Sequence, residues 1–281
     1  MIEVVQPGPL ATIQDLGRPG HLALGVGRSG AADVRSLGLA NRLVGNAESA
    51  AAIETTFGGL QLIFHAATTV AMTGASLPAS LNGRVVSLDS PISVPSGGRL
   101  ELGPPSAGMR TYVAVRGGIA VPAFLGSRST DVLSGLGPAP LAAGVQLPVG
   151  SDVIGPPNVD IAPVPSFPPE PVLRVVAGPR DDWFSSLEPL LRGPYEVTSD
   201  SNRVGIRLRG PALVRTREGE LPSEGMVLGS LQVPPAGQPV LFLADHPVTG
   251  GYPVAAVVVD ADLPLAAQLR PGQQLRFRLS R

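Results

Sequence analysis

A chain of 281 residues, 43% hydrophobic and 15% charged, has ample apolar material for a core, which excludes a disordered chain despite 35 glycines and 31 prolines. Its net charge of −1 supplies no field that would gather nucleic acid or an anionic membrane surface. Cysteine is absent and all 21 basic residues are arginine, which excludes disulfides, thiolate nucleophiles, a Walker lysine, a Schiff base, a Ser–Lys dyad and a biotin-bearing lysine within this chain.

Taken in chain order, residues 2–5 read as a strand, followed by a turn-rich loop over 7–30. A helix is expected next, capped by Ser29, with Val34, Leu37, Asn41 and Val44 along one face and Gly45-Asn46 as its stop. The alanines of 47–54 suggest a second short helix. The pattern then changes to strands at 60–65, 68–73, 85–88, 99–102 and 110–116, with Asn82-Gly83 and Gly97-Gly98 as hairpin turns.

Seven prolines between residues 155 and 171 forbid a helix or a central strand and mark a semi-rigid linker. The chain therefore divides into a β-rich domain over 1–155, a linker over 156–171 and a second β-rich domain over 172–281. The second half offers strands at 172–177, 195–198, 203–208, 226–233, 239–244, 252–259 and 274–279, and a short helix around 181–191. Many short strands and few helices predict a mainly β protein of barrels or sandwiches. The N-terminus lacks a basic, apolar leader pattern and the longest clean apolar run, near 254–259, cannot span a bilayer, so a cytoplasmic protein without membrane partners is the default expectation.

Gly25-Val26-Gly27-Arg28-Ser29-Gly30 fits a dinucleotide-binding glycine pattern, but no βαβ alternation follows and a turn-and-cap role is the better reading. In Gly126-Ser127-Arg128-Ser129-Thr130-Asp131 a guanidinium, three hydroxyls and a carboxylate follow a glycine; such a loop either holds a phosphate or carboxylate or is an ordinary polar turn. Asp245-His246-Pro247-Val248-Thr249-Gly250-Gly251-Tyr252 carries a histidine beside a carboxylate, suited to acid–base chemistry or equally to a surface turn. His21, His65 and His246 show no metal-ligand spacing, so no metal centre is expected.

Read in order, several strings resemble one family. They are Thr12-Ile13-Gln14-Asp15-Leu16-Gly17-Arg18, Ser29-Gly30-Ala31-Ala32-Asp33, Ala40-Asn41-Arg42-Leu43-Val44-Gly45-Asn46, Gly117-Gly118-Ile119 and Leu125 through Asp131. The second half adds Asn202-Arg203-Val204-Gly205, Gly229-Ser230-Leu231-Gln232 and Thr249-Gly250-Gly251-Tyr252-Pro253. Together they resemble the family variously called the C component of 5-oxoprolinase, allophanate hydrolase subunit 2 or Kip antagonist, which is related to the carboxyltransferase domain of urea carboxylase. Val248 departs from the family's D-R/H-x-T-T-G-G-Y pattern, where a threonine is usual.

The resemblance implies a cyclophilin-like β-barrel fold and a hetero-oligomer with a B-type subunit (the Kip inhibitor-like protein) and a LamB/YcsF-type A subunit. It further implies an ATP-dependent 5-oxoprolinase that opens 5-oxoproline to glutamate, with ATP bound somewhere in the complex and no biotin attached to this chain. On that reading Arg128, Ser129, Thr130 and Asp131 hold an anionic group, and Asp131 is also catalytic. Asp245, His246, Thr249, Gly250 and Tyr252 line the opposite wall, with Asp245 and His246 catalytic and His246 as the proton carrier. Gln14, Asp15 and Arg18 are site residues or loop scaffold. Two alternatives stay open: a regulatory binding protein that antagonises a kinase inhibitor, and a carboxyltransferase half served by biotin on another polypeptide. The allophanate hydrolase label implies amidase chemistry, for which this sequence carries no recognisable signature.

Overall fold

Ile2 and Val4 are buried and alternate with half-buried Glu3 and Val5, the period-two pattern of a strand covered on one face. The computed structural model describes residues 1–280 except 165, 218 and 220, so Pro165 of the expected linker lies outside the described residues. The chain forms two units: Met1–Arg18, Ser29–Asp131 and Gly135–Ser166 make the first, and Pro19–Arg28, Val132–Ser134 and Phe167–Arg281 the second.

In the first unit β1 (Ile2–Pro7) and β2 (Leu10–Gln14) precede α1 (Val34–Leu43), followed by β3 (Ala52–Thr56), β4 (Leu60–Phe64), β5 (Thr68–Ser76) and β6 (Ala79–Leu81). The rest are β7 (Arg84–Val86), β8 (Ile92–Val94), β9 (Gly98–Leu102), β10 (Ala107–Val115) and β11 (Gln146–Leu147). They form a six-stranded sheet, β11-β1-β4-β9-β6-β7, and a five-stranded sheet, β2-β3-β10-β5-β8. Val4, Leu62 and Phe64 of the first sheet meet Ile53, Met72 and Val113 of the second in one apolar core. On the other face of the five-stranded sheet, Leu37, Ala40 and Leu43 of α1 pack on Ala52, Ala71 and Ala114, small residues that admit the helix close to the strands. β10 is covered on both faces, so nearly all of it is buried.

Several local expectations needed correction here. The segment 7–30 contains β2, because its backbone pairs with β3 from Leu10↔Thr56 to Gln14↔Ala52. The alanine-rich 47–54 segment is not helical: β3 occupies its end, since Ala52 fits under α1 while Ile53 faces the inter-sheet core, and tertiary burial overrides alanine's helix propensity. The cap of α1 is Asp33, whose carboxylate accepts from the Ser36 N–H at 3.0 Å and the Ser36 hydroxyl at 2.7 Å. Asn82 and Gly83, with φ of 52° and 75°, make the two-residue β6–β7 hairpin as expected. Gly97-Gly98 instead turns a corner, because β8 belongs to the five-stranded sheet and β9 to the six-stranded one.

The second unit contains β12 (Val172–Ala177), α2 (Glu188–Arg192), β13 (Tyr195–Val197), β14 (Gly205–Arg209) and β15 (Glu224–Gly225). It continues with β16 (Ser230–Gln232), β17 (Val240–Phe242), β18 (Thr249–Gly250), β19 (Val254–Val258), α3 (Leu263–Ala266) and β20 (Gln274–Leu279). Seven of these strands close into a barrel in the order β12-β19-β16-β17-β14-β13-β20, shut by parallel pairing of β12 with β20. Leu173, Val197, Leu208, Leu231, Leu241 and Phe277 fill its interior. The mainly β expectation thus holds. The helix expected at 181–191 is split into a 3₁₀ turn, Asp181–Trp183, and α2, with Pro189 in the first turn of α2 where its missing N–H costs nothing. Among the described residues no helix is long and apolar enough to cross a membrane.

Candidate functional site

In the first unit the Ser127–Asp131 loop is organised by Asp15, the residue that follows β2. Its Oδ1 accepts the Ser127 and Ser129 hydroxyls at 2.6 Å each and the Gly17 N–H at 2.8 Å, and its Oδ2 accepts the Arg128 N–H at 2.6 Å. The Asp15 N–H returns a bond to Ser129 Oγ at 3.0 Å. Ser127 and Ser129 are fully buried. Their hydroxyls therefore serve the loop's own architecture, and Ser129 presents no hydroxyl to a ligand. Thr130 is held likewise: its carbonyl accepts from Gln14 Nε2 at 2.9 Å and Ser29 Oγ at 3.2 Å, and its N–H donates to the Ile13 carbonyl at 2.9 Å. Asp131 is buried, with its backbone tied to Leu136 and Gly135.

Arg18 is 1% exposed and donates from Nη2 to the Ser129 carbonyl, while its Nε and Nη1 and the Oε1 of Gln14 are buried without hydrogen-bond partners among the described residues. Arg128 behaves differently. Its Nε donates to the Val121 carbonyl at 2.8 Å, its terminal nitrogens make no hydrogen bond among the described residues, and the side chain is half-buried. It borders a cleft of about 200 Å³ whose other walls are the 47–51 segment, Gly117 to Ala120, Gly150 and Asp152.

In the second unit β17 runs into Asp245-His246. The Asp245 carboxylate meets the Arg203 guanidinium as a fork, Oδ2 to Nε at 2.9 Å and Oδ1 to Nη2 at 3.1 Å, and also accepts the Val132 N–H at 3.1 Å. Both side chains are at most 1% exposed. The His246 ring turns to the Pro247 carbonyl at 2.8 Å and stacks on Phe242 with 6.1 Å between centroids. A carbonyl can only accept, so Nδ1 carries the proton and Nε2 of the neutral ring keeps its lone pair.

Thr249 and Gly250 form β18, paired with β15. Gly250 packs against Gln232 and Met226 where a side chain would collide with the Gln232 amide, and Tyr252 gives its carbonyl to Gln232 Nε2 at 3.1 Å while its ring lies 5.6 Å from the Arg215 guanidinium carbon. Among the described residues no group of three acidic, histidine or cysteine side chains could hold a metal ion.

Sequence reading did not identify a buried network beneath α1. Tyr112 donates its hydroxyl to Glu54 Oε2 at 2.7 Å and accepts the Asp33 N–H at 2.8 Å, and Glu54 Oε1 lies 3.6 Å from Arg110 Nε. Burial first, then the Glu54 charge, pushes the Tyr112 phenol well above its usual range, so it is a permanent donor. The available signal was the polar run Arg110-Thr111-Tyr112 inside a strand whose other residues are apolar or glycine.

Residues 24–279 match the family described as "Carboxyltransferase domain, subdomain A and B". The chain is 37% identical over 282 residues to the C component of 5-oxoprolinase from Escherichia coli (strain K12), covering 99% of this chain and 90% of that one. It is 36% identical over 282 residues to the corresponding 5-oxoprolinase component of Haemophilus influenzae, again covering 99% and 90%. Among solved structures, the K. lactis urea amidolyase matches with a TM-score of 0.91 and 32% identity over 98% of this chain, which spans 18% of that much longer one.

Proposed function

From the premise that this chain belongs to the carboxyltransferase domain (subdomain A and B) family, we propose that it is the C component of an ATP-dependent 5-oxoprolinase, a hydrolase complex that opens 5-oxoproline to glutamate. The observation that carries this reading is the 37% identity to a 5-oxoprolinase component of the same type over 99% of this chain and 90% of that one. A relative that matched a fragment would support far less.

The reaction sets the tasks. Amide resonance protects the lactam from water. Transfer of a phosphoryl group from ATP to the lactam oxygen makes the ring carbon electrophilic. Water adds there, the C–N bond breaks and the nitrogen gains a proton; a second water then releases phosphate. The complex must hold the substrate carboxylate, manage developing charge and supply a proton. In this chain Arg128 has free cationic donors for an anionic group, and His246 presents Nε2 with its tautomer set by the Pro247 carbonyl. Asp15, Ser127, Ser129 and Gln14 position the loop that carries Arg128. Asp245 orients the segment bearing His246 through its fork with Arg203.

The remaining subunits are a B-type and an A-type protein, the complex is cytoplasmic and the isolated chain is inactive. ATP is a substrate of the complex; with no lysine in the chain for a Walker-type phosphate loop, we assign it to the assembly and not to a site built from these residues alone. The test is glutamate and ADP release from 5-oxoproline and ATP, using the three subunits and each pairwise omission. Turnover that disappears without this chain supports the reading; a fully assembled complex without turnover sinks it. A carboxyltransferase role is the second reading, favoured by the urea amidolyase match over 98% of the chain. A co-purifying biotin carrier protein, detected with avidin, would move the assignment there.

A further inference from the structure

We infer that the first unit's cleft between Gly117-Gly118, Ala120, Gly150 and Arg128 binds the carboxylate-bearing end of a small cyclic amide, with Arg128 on the carboxylate and Asp152 accepting the ring N–H. The assignment of the amide as 5-oxoproline rests on the proposed oxoprolinase reading.

The cleft is built from backbone. The Gly117 N–H donates to Asn46 Oδ1 at 2.8 Å and the Gly150 N–H to the Gly118 carbonyl at 2.9 Å, which holds the two glycine segments together. A Cβ on Gly117 would collide with the Gly150 carbonyl, and one on Gly150 with the Gly117 carbonyl, so both positions require glycine. Small walls leave a space of about 200 Å³, enough for a five-membered ring bearing one substituent.

Its charge is equally selective. Arg128 and Asp152 are the charged residues that line it, one of each sign. That pairing suits a monoanion that also carries an N–H donor, and it disfavours a phosphate dianion, which Asp152 would repel. Arg128, which lines the cleft, is fixed at two points, its N–H on Asp15 Oδ2 at 2.6 Å and its Nε on the Val121 carbonyl at 2.8 Å. Little side-chain freedom is left to lose on binding, and the terminal nitrogens are the donors that remain.

The test is calorimetric titration of 5-oxoproline into the full chain with its co-purified partners, without ATP, alongside KM and kcat when ATP is present. Arg128→Gln removes the charge; Ala120→Leu, at an exposed position on the rim, narrows the entrance without touching the core. Both variants are expected to weaken 5-oxoproline binding by about tenfold or more and to raise KM with little change in kcat. Asp152→Asn should erode the preference for 5-oxoproline over its N-methyl derivative. Wild-type binding by both Arg128→Gln and Ala120→Leu, or no binding by the unmodified protein, overturns the inference. Turnover with unchanged KM in those variants would leave the oxoprolinase reading standing and remove the cleft from it. Binding lost in the variants of a complex with no turnover would do the reverse.

Discussion

Asp15 and Ser129, separated by 114 residues in sequence, are bonded twice: the Ser129 hydroxyl donates to Asp15 Oδ1 at 2.6 Å and accepts from the Asp15 N–H at 3.0 Å. That reciprocal pair turns a loop whose sequence suits either a ligand cradle or an ordinary polar turn into a self-satisfied buttress, with Arg128 as its outward product.

Asp15→Ala should therefore cost about 2–4 kcal/mol of stability, since two buried hydroxyls and two backbone N–H groups lose their acceptor. Ser129→Ala should cost less, about 1–3 kcal/mol. Urea unfolding midpoints measure both. An Asp15→Ala midpoint equal to wild type would show that the network contributes nothing.

His246→Gln keeps a side chain of similar reach but removes the imidazole and its Nε2 lone pair. Assembly with the partner subunits should survive, and turnover should fall by about a hundredfold or more. Size-exclusion chromatography and ADP release separate the two effects. Retained turnover would exclude His246 as the proton carrier.

The Arg203–Asp245 fork is a buried ion pair, so its halves should fail singly and recover jointly. Arg203→Met leaves a buried carboxylate uncompensated and should cost about 3–5 kcal/mol, whereas Arg203→Met combined with Asp245→Leu should regain much of it. A double variant as unstable as the sum of its singles would argue that the pair's value is not mutual.

Asp89 offers a pH signature. Burial raises its carboxyl from the ordinary 3.8 to about 6. The folded state then holds this proton more tightly than the unfolded chain does, so stability falls as pH rises from about 3.8 to about 6 and stays reduced above. Asp89→Asn should raise Tm at pH 7.5 and confer less at pH 3.5. Asparagine also tolerates the φ of 56° found there, a gain that does not depend on pH. Equal gains at both pH values would dismiss the titration.

Much of the fold was legible in the sequence because it is written in near neighbours. Short apolar runs between turn residues located β1, β4 and β9, Asn82-Gly83 located a hairpin, and the proline density of 155–171 stood out unaided. The misread segments share one cause. Residues 47–54 look helical by composition, yet Ala52 and Ile53 alternate between two burial environments supplied by α1 and by the opposite sheet. Residues 10–14 look like loop until β3 pairs with them.

By itself the sequence determined the class of fold, the absence of cysteine and lysine chemistry, and a run of family strings extensive enough to identify relatives. Tertiary structure alone decided which of the polar residues are available. Ser129 and Asp245 carry suitable chemistry but face Asp15 and Arg203, whereas Arg128 and His246 have hydrogen-bonding capacity left over. Residue type sets what a group can donate or accept. Whether it remains free depends on partners brought from more than forty residues away, and on how many of its donors and acceptors those partners take up.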